Sequence, residues 1–554
     1  MKKRTIFIAA FLTATIMYSA CDEERLVFDY PIVKLGPLGA GDYVYVGNGT
    51  TARLTVIKTP EGKTETIEIP NWTVGLYSHP DGKKVIALSH LTPMLSIIEG
   101  NKITKEIALR SRYDDMKIRV DGKIGALFFS ADNSKRNIYS FDERFVNVEG
   151  ASSAVNLNEL SFVNLDSGEA RVITLTSSSM KGPNQIIFAN PQTGDAPSEN
   201  LAAILLDTGV AVCDVLKGGE AEGDVPCRLI PLVNTSSGSN YIAVEALFSA
   251  DNKYLFVRTS NLDDIAAVRL DYDGKSIEAS LNVMTSPFSG LSSIHILEGE
   301  NYKDNLLAVY ASRRGVAMLN AESKSEDEFK IENLVVSPSV GATIMNDGGS
   351  QYLVAADNSY NRIIIVDIER KDYKAVQTVG RITKFILSPD KMSAAMISQE
   401  KDTYCDDYYY GYECYGYSYE RILEIGKFKM REEGEPIKFS VATISLNAPY
   451  GDHSVSKTGD MFYSILPGSG ALVAVDLKAF TTSEVKLEEG SFFALGITGS
   501  ENALFVEDYE VEGNGGRLMI IPTGAKFSRK ESKVVEGYLF GDLFDLPEEE
   551  YDNE

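Results

Sequence analysis

Short apolar runs, many alternating with polar residues, recur along this chain and are punctuated by Asp, Asn and Gly. Alternation with a period of two predicts strands, and the punctuation predicts the turns between them. One pattern repeats: a small or polar residue, any residue, Asp, then Gly, Asn or Lys, beside an apolar alternating run. It occurs as His79-Pro80-Asp81-Gly82-Lys83 before VIAL and as Ser130-Ala131-Asp132-Asn133 after ALFF. It returns as Ser249-Ala250-Asp251-Asn252-Lys253 between EALF and YLFV, and as Ser388-Pro389-Asp390-Lys391 between KFIL and SAAMI. Weaker relatives stand at Asn346-Asp347-Gly348-Gly349, Lys457-Thr458-Gly459-Asp460 and Thr498-Gly499-Ser500-Glu501. No long amphipathic helical pattern occurs after residue 21.

The spacing of the motif is informative. Asp81 to Asp132 is 51 residues, Asp132 to Asp251 is 119, and Asp251 to Asp390 is 139, or near one, two and three units. A period of about 40 to 60 residues, with four short strands per unit, is the signature of propeller blades. The motif is then the tight turn between the first two strands of a blade, because Asp, Asn and Gly favour such turns. RIIIVDIERK (362–371), ALVAVDLKAF (471–480), AAVRLDYDGK (266–275) and LSFVNLDSGE (160–169) read as third strands of their blades. Strong and weak repeats together make eight to ten units, with insertions near 140–157, 186–199 and 401–436. The expectation is an all-β chain, a β-propeller of one ring of 7–8 elaborated blades, with two smaller propellers as the alternative. These repeats resemble the WD40-like, TolB-like and YVTN-type propellers of bacterial extracytoplasmic proteins, over residues of about 34 to 525. That resemblance implies architecture and not function.

The amino terminus changes the picture. Lys2-Lys3-Arg4 is a basic segment, Thr5 to Met17 is apolar but short for a membrane span, and Tyr18-Ser19-Ala20-Cys21 precedes an acidic Asp22-Glu23-Glu24. Small residues before a cysteine resemble the lipobox of bacterial lipoproteins, with Tyr18 where that family has an aliphatic residue. The resemblance implies cleavage after residue 20 and a diacylglycerol on Cys21. An ordinary secretory signal, with Cys21 as a plain thiol, is the alternative. The expected organisation is a signal at 1–20, a lipidated cysteine and short tether at 21–33, the propeller at 34–540, and an acidic tail at 541–554. In that tail region Phe540, Leu543 and Phe544 are candidates to close the last blade. The implied location is the cell envelope, on a periplasmic or external face.

Charge narrows the partners. The 554-residue chain carries 54 basic and 79 acidic residues, and losing Lys2, Lys3 and Arg4 leaves 51 against 79, a net charge of −28. Such a surface repels nucleic acid and anionic headgroups, and no basic patch with interleaved aromatics occurs.

Four further cysteines form two close pairs. Cys213 and Cys227 bracket a Gly-rich turn between apolar runs, which reads as a hairpin able to bring them together. Cys405 and Cys414 bracket DDYYYGYE. Three pairings are open to four cysteines, local pairing being the simplest, and disulfides agree with an oxidising compartment. Neither pair has zinc-site spacing or a nearby His, so a thiolate metal site is not expected.

Chemistry is hard to find. His79, His90, His295 and His453 form no close ligand pair and read as surface or turn residues, and no H-E-x-x-H, G-x-S-x-G or P-loop is present. Asp271, Asp273 and Gly274 lack the remaining ligands of a calcium loop and read as a hairpin turn. No catalytic residue, metal or cofactor is assigned. The most unusual composition is the segment 403–420, read as a loop with eight tyrosines: Tyr404, Tyr408, Tyr409, Tyr410, Tyr412, Tyr415, Tyr417 and Tyr419. Tyrosine gives broad contact area with few torsions to freeze, and a Cys405–Cys414 bridge would pre-order it. Contact with a protein or glycan of the envelope or cell exterior is therefore expected at Tyr408, Tyr409, Tyr410, Tyr412, Tyr415 and Tyr417. Packing of those rings on the neighbouring blade is the competing reading. The leading functional expectation is a lipid-anchored binding or scaffold module. The alternatives are a hydrolase or lactonase-like propeller enzyme with a metal in its central channel, and a subunit of an envelope assembly.

Overall fold

The structure, a computed structural model, describes residues 33–539. The exceptions are 130–158, 175–182, 192–196, 217–226, 233–241, 311–314, 323–328, 429–437, 509–515 and scattered shorter gaps, together with the side chains of 400–421. The signal, Cys21, the tail residues Phe540, Leu543 and Phe544, and Tyr409 and Tyr410 lie outside the described residues.

The described residues form ten four-stranded antiparallel sheets, each with its strands in simple sequential order. Their first strands are Lys34–Ala40, Thr73–Ser78, Asp115–Ile118, Gln185–Phe188, Ala243–Phe248, Leu291–Ile296, Ala342–Asn346, Arg381–Leu387, His453–Val455 and Phe492–Ile497. First strands neighbour one another along the ring, and the first blade meets the tenth, so these strands surround the axis. Ten apolar clusters each join two successive sheets, the last uniting Val44, Val46 and Ile57 with Phe505, Leu518, Ile520 and Tyr538.

This is one closed ring of ten blades, which overturns the expectation of 7–8 blades and that of two smaller propellers. The miscount has a local cause. Ser130-Ala131-Asp132-Asn133 follows the second strand of blade 3 and is not its first turn; that turn is Arg119-Val120-Asp121-Gly122, between Asp115–Ile118 and Ile124–Phe128. Blades 1, 4 and 6 turn with other sequences. The expected insertion at 186–199 also holds a first strand, Gln185–Phe188.

The middle strands explain the apolar runs. In Lys84–Ser89, Val85 and Ala87 pack toward blade 1 while Ile86 and Leu88 pack toward blade 3, so both faces are buried. Outermost strands such as Lys63–Glu68 (KTETIE) alternate between exposed and half-buried, and their charged residues keep the free edge from pairing with other chains. The four segments read as third strands, at 160, 266, 362 and 471, are third strands of blades 3, 5, 7 and 9.

The repeated motif has one geometry. In six blades the residue after the motif's Asp position takes a left-handed φ: Gly82, Gly122, Asn252, Lys391, Gly459 and Glu501. The N–H of each donates to the carbonyl three residues back, at 2.8–3.0 Å. Where a Ser or Thr opens the motif, its Oγ accepts the N–H five residues on, as Ser249 does from Tyr254 and Ser388 from Ser393, both at 3.0 Å. Asp81 and Asp251 accept from the N–H groups of Lys83 and Lys253. The small polar residue and the Asp are thus required by the turn itself.

Each blade is a contiguous stretch of chain, so the ring closes without exchanging a strand. Closure rests on the cluster between blades 10 and 1 and on polar ties. Asn502 Nδ2 donates to Asp42, Thr59 Oγ1 donates to Asn502, and buried Glu507 receives Lys34 and the Tyr538 hydroxyl.

Candidate functional site

Three places could hold a partner: the face that carries the connections between second and third strands, the opposite face of first turns, and the centre of the ring. The tyrosine-rich segment belongs to the first. It is not a loop. The second and third strands of blade 8, Ser393–Tyr408 and Gly411–Phe428, run on as a long hairpin, paired from Ser393 opposite Lys427 to Tyr408 opposite Gly411 with a register shift between Ser398 and Gln399. The first strand of this blade pairs only as far as Gln399, and the fourth only from Ile422. Beyond those points the two hairpin strands pair with each other alone among the described residues. Alternation of Tyr with polar residues is as compatible with a strand as with a loop, and that ambiguity hid the hairpin in the sequence. Cys405 stands directly opposite Cys414 in the register.

The base of the hairpin is held by a buried carboxylate. Glu424 accepts the Ser398 hydroxyl at 2.5 Å and the N–H of Val379 at 2.9 Å, joining both hairpin strands to the segment that enters blade 8. Asn358 of blade 7 exchanges two hydrogen bonds with the backbone of Ile382, at 2.6 and 2.9 Å. On the same face two large apolar side chains are left in solvent: Val379, at the hairpin base, at 60%, and Tyr360, between the second and third strands of blade 7, at 62% exposure. The Arg362 guanidinium lies 4.8 Å from the Tyr360 ring centroid, a cation–π contact. Val379 and Tyr360 escaped sequence reasoning because a single apolar residue in a turn carries no periodic signal.

Cys213 and Cys227 close a disulfide across the third and fourth strands of blade 4, as directly opposed residues. Asp273 accepts the N–H groups of Lys275 and Ser276 in a hairpin turn, consistent with the reading of that segment. Among the described residues no group of three or more His, Cys, Asp or Glu is arranged to hold a metal ion. No helix among them is long and apolar enough to cross a membrane.

The histidines are a correction. His79 does lie in a turn, where Nε2 is 2.9 Å from the Gly122 carbonyl oxygen of the next blade. His295 and His453, however, stand on first strands and not on turns. His90 and His453 have pKa values lowered chiefly by burial. Burial alone lowers the His295 pKa to about 4, so its ring is neutral near pH 7. Its Nε2 is 2.9 Å from Ser293 Oγ.

At the centre, a cavity of about 650 Å³ lies against the first strands of blades 4 to 8, with His295 in its wall. The opposite arc is drawn together: Gly41 N–H donates to Gly82 O, Ser500 N–H to Gly41 O, and Lys457 Nζ to Gly499 O. First turns of blades 9, 10, 1 and 2 therefore meet at one end of the ring.

No family model matches the chain, and no curated protein matches its sequence. Among solved structures it is similar to the dihydro-heme d1 dehydrogenase NirN in complex with DHE, at 11% identity and a TM-score of 0.38, covering 82% of this chain and 74% of that one. It is also similar to the β-propeller domain of Cps50 (Swd1) from Myceliophteria thermophila, at 7% identity and a TM-score of 0.30, covering 80% and 94%. A third is apo AztD from Citrobacter koseri, at 12% identity and a TM-score of 0.29, covering 61% and 95%. The chain is a β-propeller, and likenesses this distant carry nothing about its ligands.

Proposed function

We propose that this propeller is a lipid-anchored module of the bacterial envelope that binds a protein or glycan through the face bearing the blade 8 hairpin. One observation carries the reading: two strands continue past their blade with edges unpaired among the described residues, on the face that also exposes Val379 and Tyr360. An open edge offers rows of N–H and C=O groups, which an extended segment can complete as an added strand. Tyrosine at this density adds contact area at little entropic cost. Buried Glu424 and the bonds from Asn358 support a rigid base, which limits what ordering would cost on binding. The Cys213–Cys227 disulfide supports an oxidising compartment, in keeping with export and with a lipid on Cys21.

The test is crosslinking in whole cells with three versions of the chain. The wild type should be found with the membranes and capture a discrete partner. Replacing 403–420 by a short Gly-Ser turn should leave the ring folded and reduce capture at least tenfold. Cys21→Ala should release the protein from the membrane fraction. Unchanged capture without the hairpin would remove that face from the reading, and unchanged membrane association of Cys21→Ala would remove the anchor.

A further inference from the structure

We propose that the blade 8 hairpin takes as its partner an extended, basic polypeptide segment, added as a strand along residues 400–408. This rests on the reading of that hairpin as the binding face. From Gln399 to Tyr408 the pairing with residues 411–420 runs without a shift. Directly opposed residues of an antiparallel pair share a face, and successive residues alternate between faces. The register therefore sorts the segment. Tyr404, Tyr408, Tyr415, Tyr417 and Tyr419 fall on one face, and Glu400, Asp402, Asp406 and Glu413 fall on it with them. No basic residue of 400–419 shares that face. The other face takes Lys401, Asp407, Tyr412 and the cysteine pair.

Charge then selects the occupant. Residues 400–420 hold six acidic residues and one lysine. Asp406 stands directly opposite Glu413, and like charges so placed weaken a ribbon. A cation brought to that face relieves the repulsion. The edge of 400–408 is unpaired among the described residues, because the first strand of the blade pairs only as far as Gln399. Along it Glu400, Asp402 and Asp406 occupy alternate positions of one face, with Tyr404 interposed. An incoming strand with lysine or arginine at every second position has the same period and sets cations against these carboxylates. Tyrosine is a residue type whose ring face attracts the same cations. Other occupants fit less well. A second copy of this chain brings the same acidic residues, and an uncharged glycan leaves the carboxylates without a counter-charge.

The probe is a fluorescent peptide of about nine residues that alternates lysine with threonine, titrated with the purified full-length protein and read by anisotropy. Saturable binding is expected. Combining Glu400→Gln, Asp402→Asn and Asp406→Asn should weaken it about tenfold, through the loss of three cross-strand charge pairs. Asp406→Asn alone should weaken it about threefold, whereas Asp407→Asn, the same change one residue on but on the other face, should have less than about a twofold effect. A peptide of the same composition with its lysines in one block should bind about fivefold more weakly, because only alternation keeps the cations on one face. Equal binding of the two peptides, or equal effects of Asp406→Asn and Asp407→Asn, overturns the proposal. Whole-cell crosslinking separates this inference from the reading beneath it. If the triple variant keeps a capture that replacing 403–420 abolishes, the basic-strand inference falls and the hairpin reading stands. If replacing 403–420 leaves capture unchanged, both fall.

Discussion

The two arcs of the ring use the same blade and end differently. On the arc of blades 9, 10, 1 and 2, first turns touch backbone to backbone. A Cβ on Gly499 would stand 2.0 Å from Gly82 O and 2.4 Å from Gly41 N. On the arc of blades 4 to 8, first strands instead line a cavity. Blade-to-blade packing is equivalent in both, because each interface has its own apolar cluster. Inter-blade packing therefore builds the ring, while the turns decide how much of its centre is filled.

The largest way to break this contrast is Gly499→Ala. Backbone atoms from two other blades cannot give way as a flexible side chain can, so a loss of about 3 kcal/mol is expected in urea unfolding. Gly299, in the open arc, provides the comparison. There an added Cβ would meet only the Tyr302 ring, at 3.9 Å, and the cost is the backbone strain of a φ of +108°, about 1 kcal/mol. If Gly299→Ala proved as damaging as Gly499→Ala, the closed arc would not be the tighter one.

A smaller effect should come from His295. An unfolded histidine takes up a proton near pH 6.5, whereas the folded one resists until about pH 4. Its neutral form therefore contributes fully above pH 6.5, and that contribution is lost as pH falls toward 4. The loss is at most about 3 kcal/mol. Denaturation curves at pH 7, 5.5 and 4.5 should show the wild type losing more stability than His295→Gln; parallel losses would place the ring in water instead. The smallest effect belongs to the Lys391–Glu298 ion pair. Both side chains are substantially exposed, at 45% and 76%, so Lys391→Met should change stability by less than about 0.5 kcal/mol.

The legible part of the site was its composition. A tyrosine-rich segment bracketed by cysteines stands out in any reading of the chain, but its continuation of two strands does not. Glu424, which ties both hairpin strands to Val379, has no local signature because its partners lie 26 and 45 residues away. His295 sits in an ordinary alternating run, and only the five first strands brought together make it part of a cavity wall.

The structure of a single blade follows from local sequence. Period-two alternation, doubly apolar middle strands and the Ser-x-Asp-Gly turn are local requirements, set by hydrogen bonds spanning three to five residues. The number of blades was decided by tertiary structure. Local signals in blades 1, 4 and 6 differ from the motif, and a ring closes only when the first and last blades can bury apolar faces against each other. Val44 and Val46 meeting Phe505 and Ile520 satisfy that condition from more than 450 positions apart, a separation at which no sequence periodicity operates.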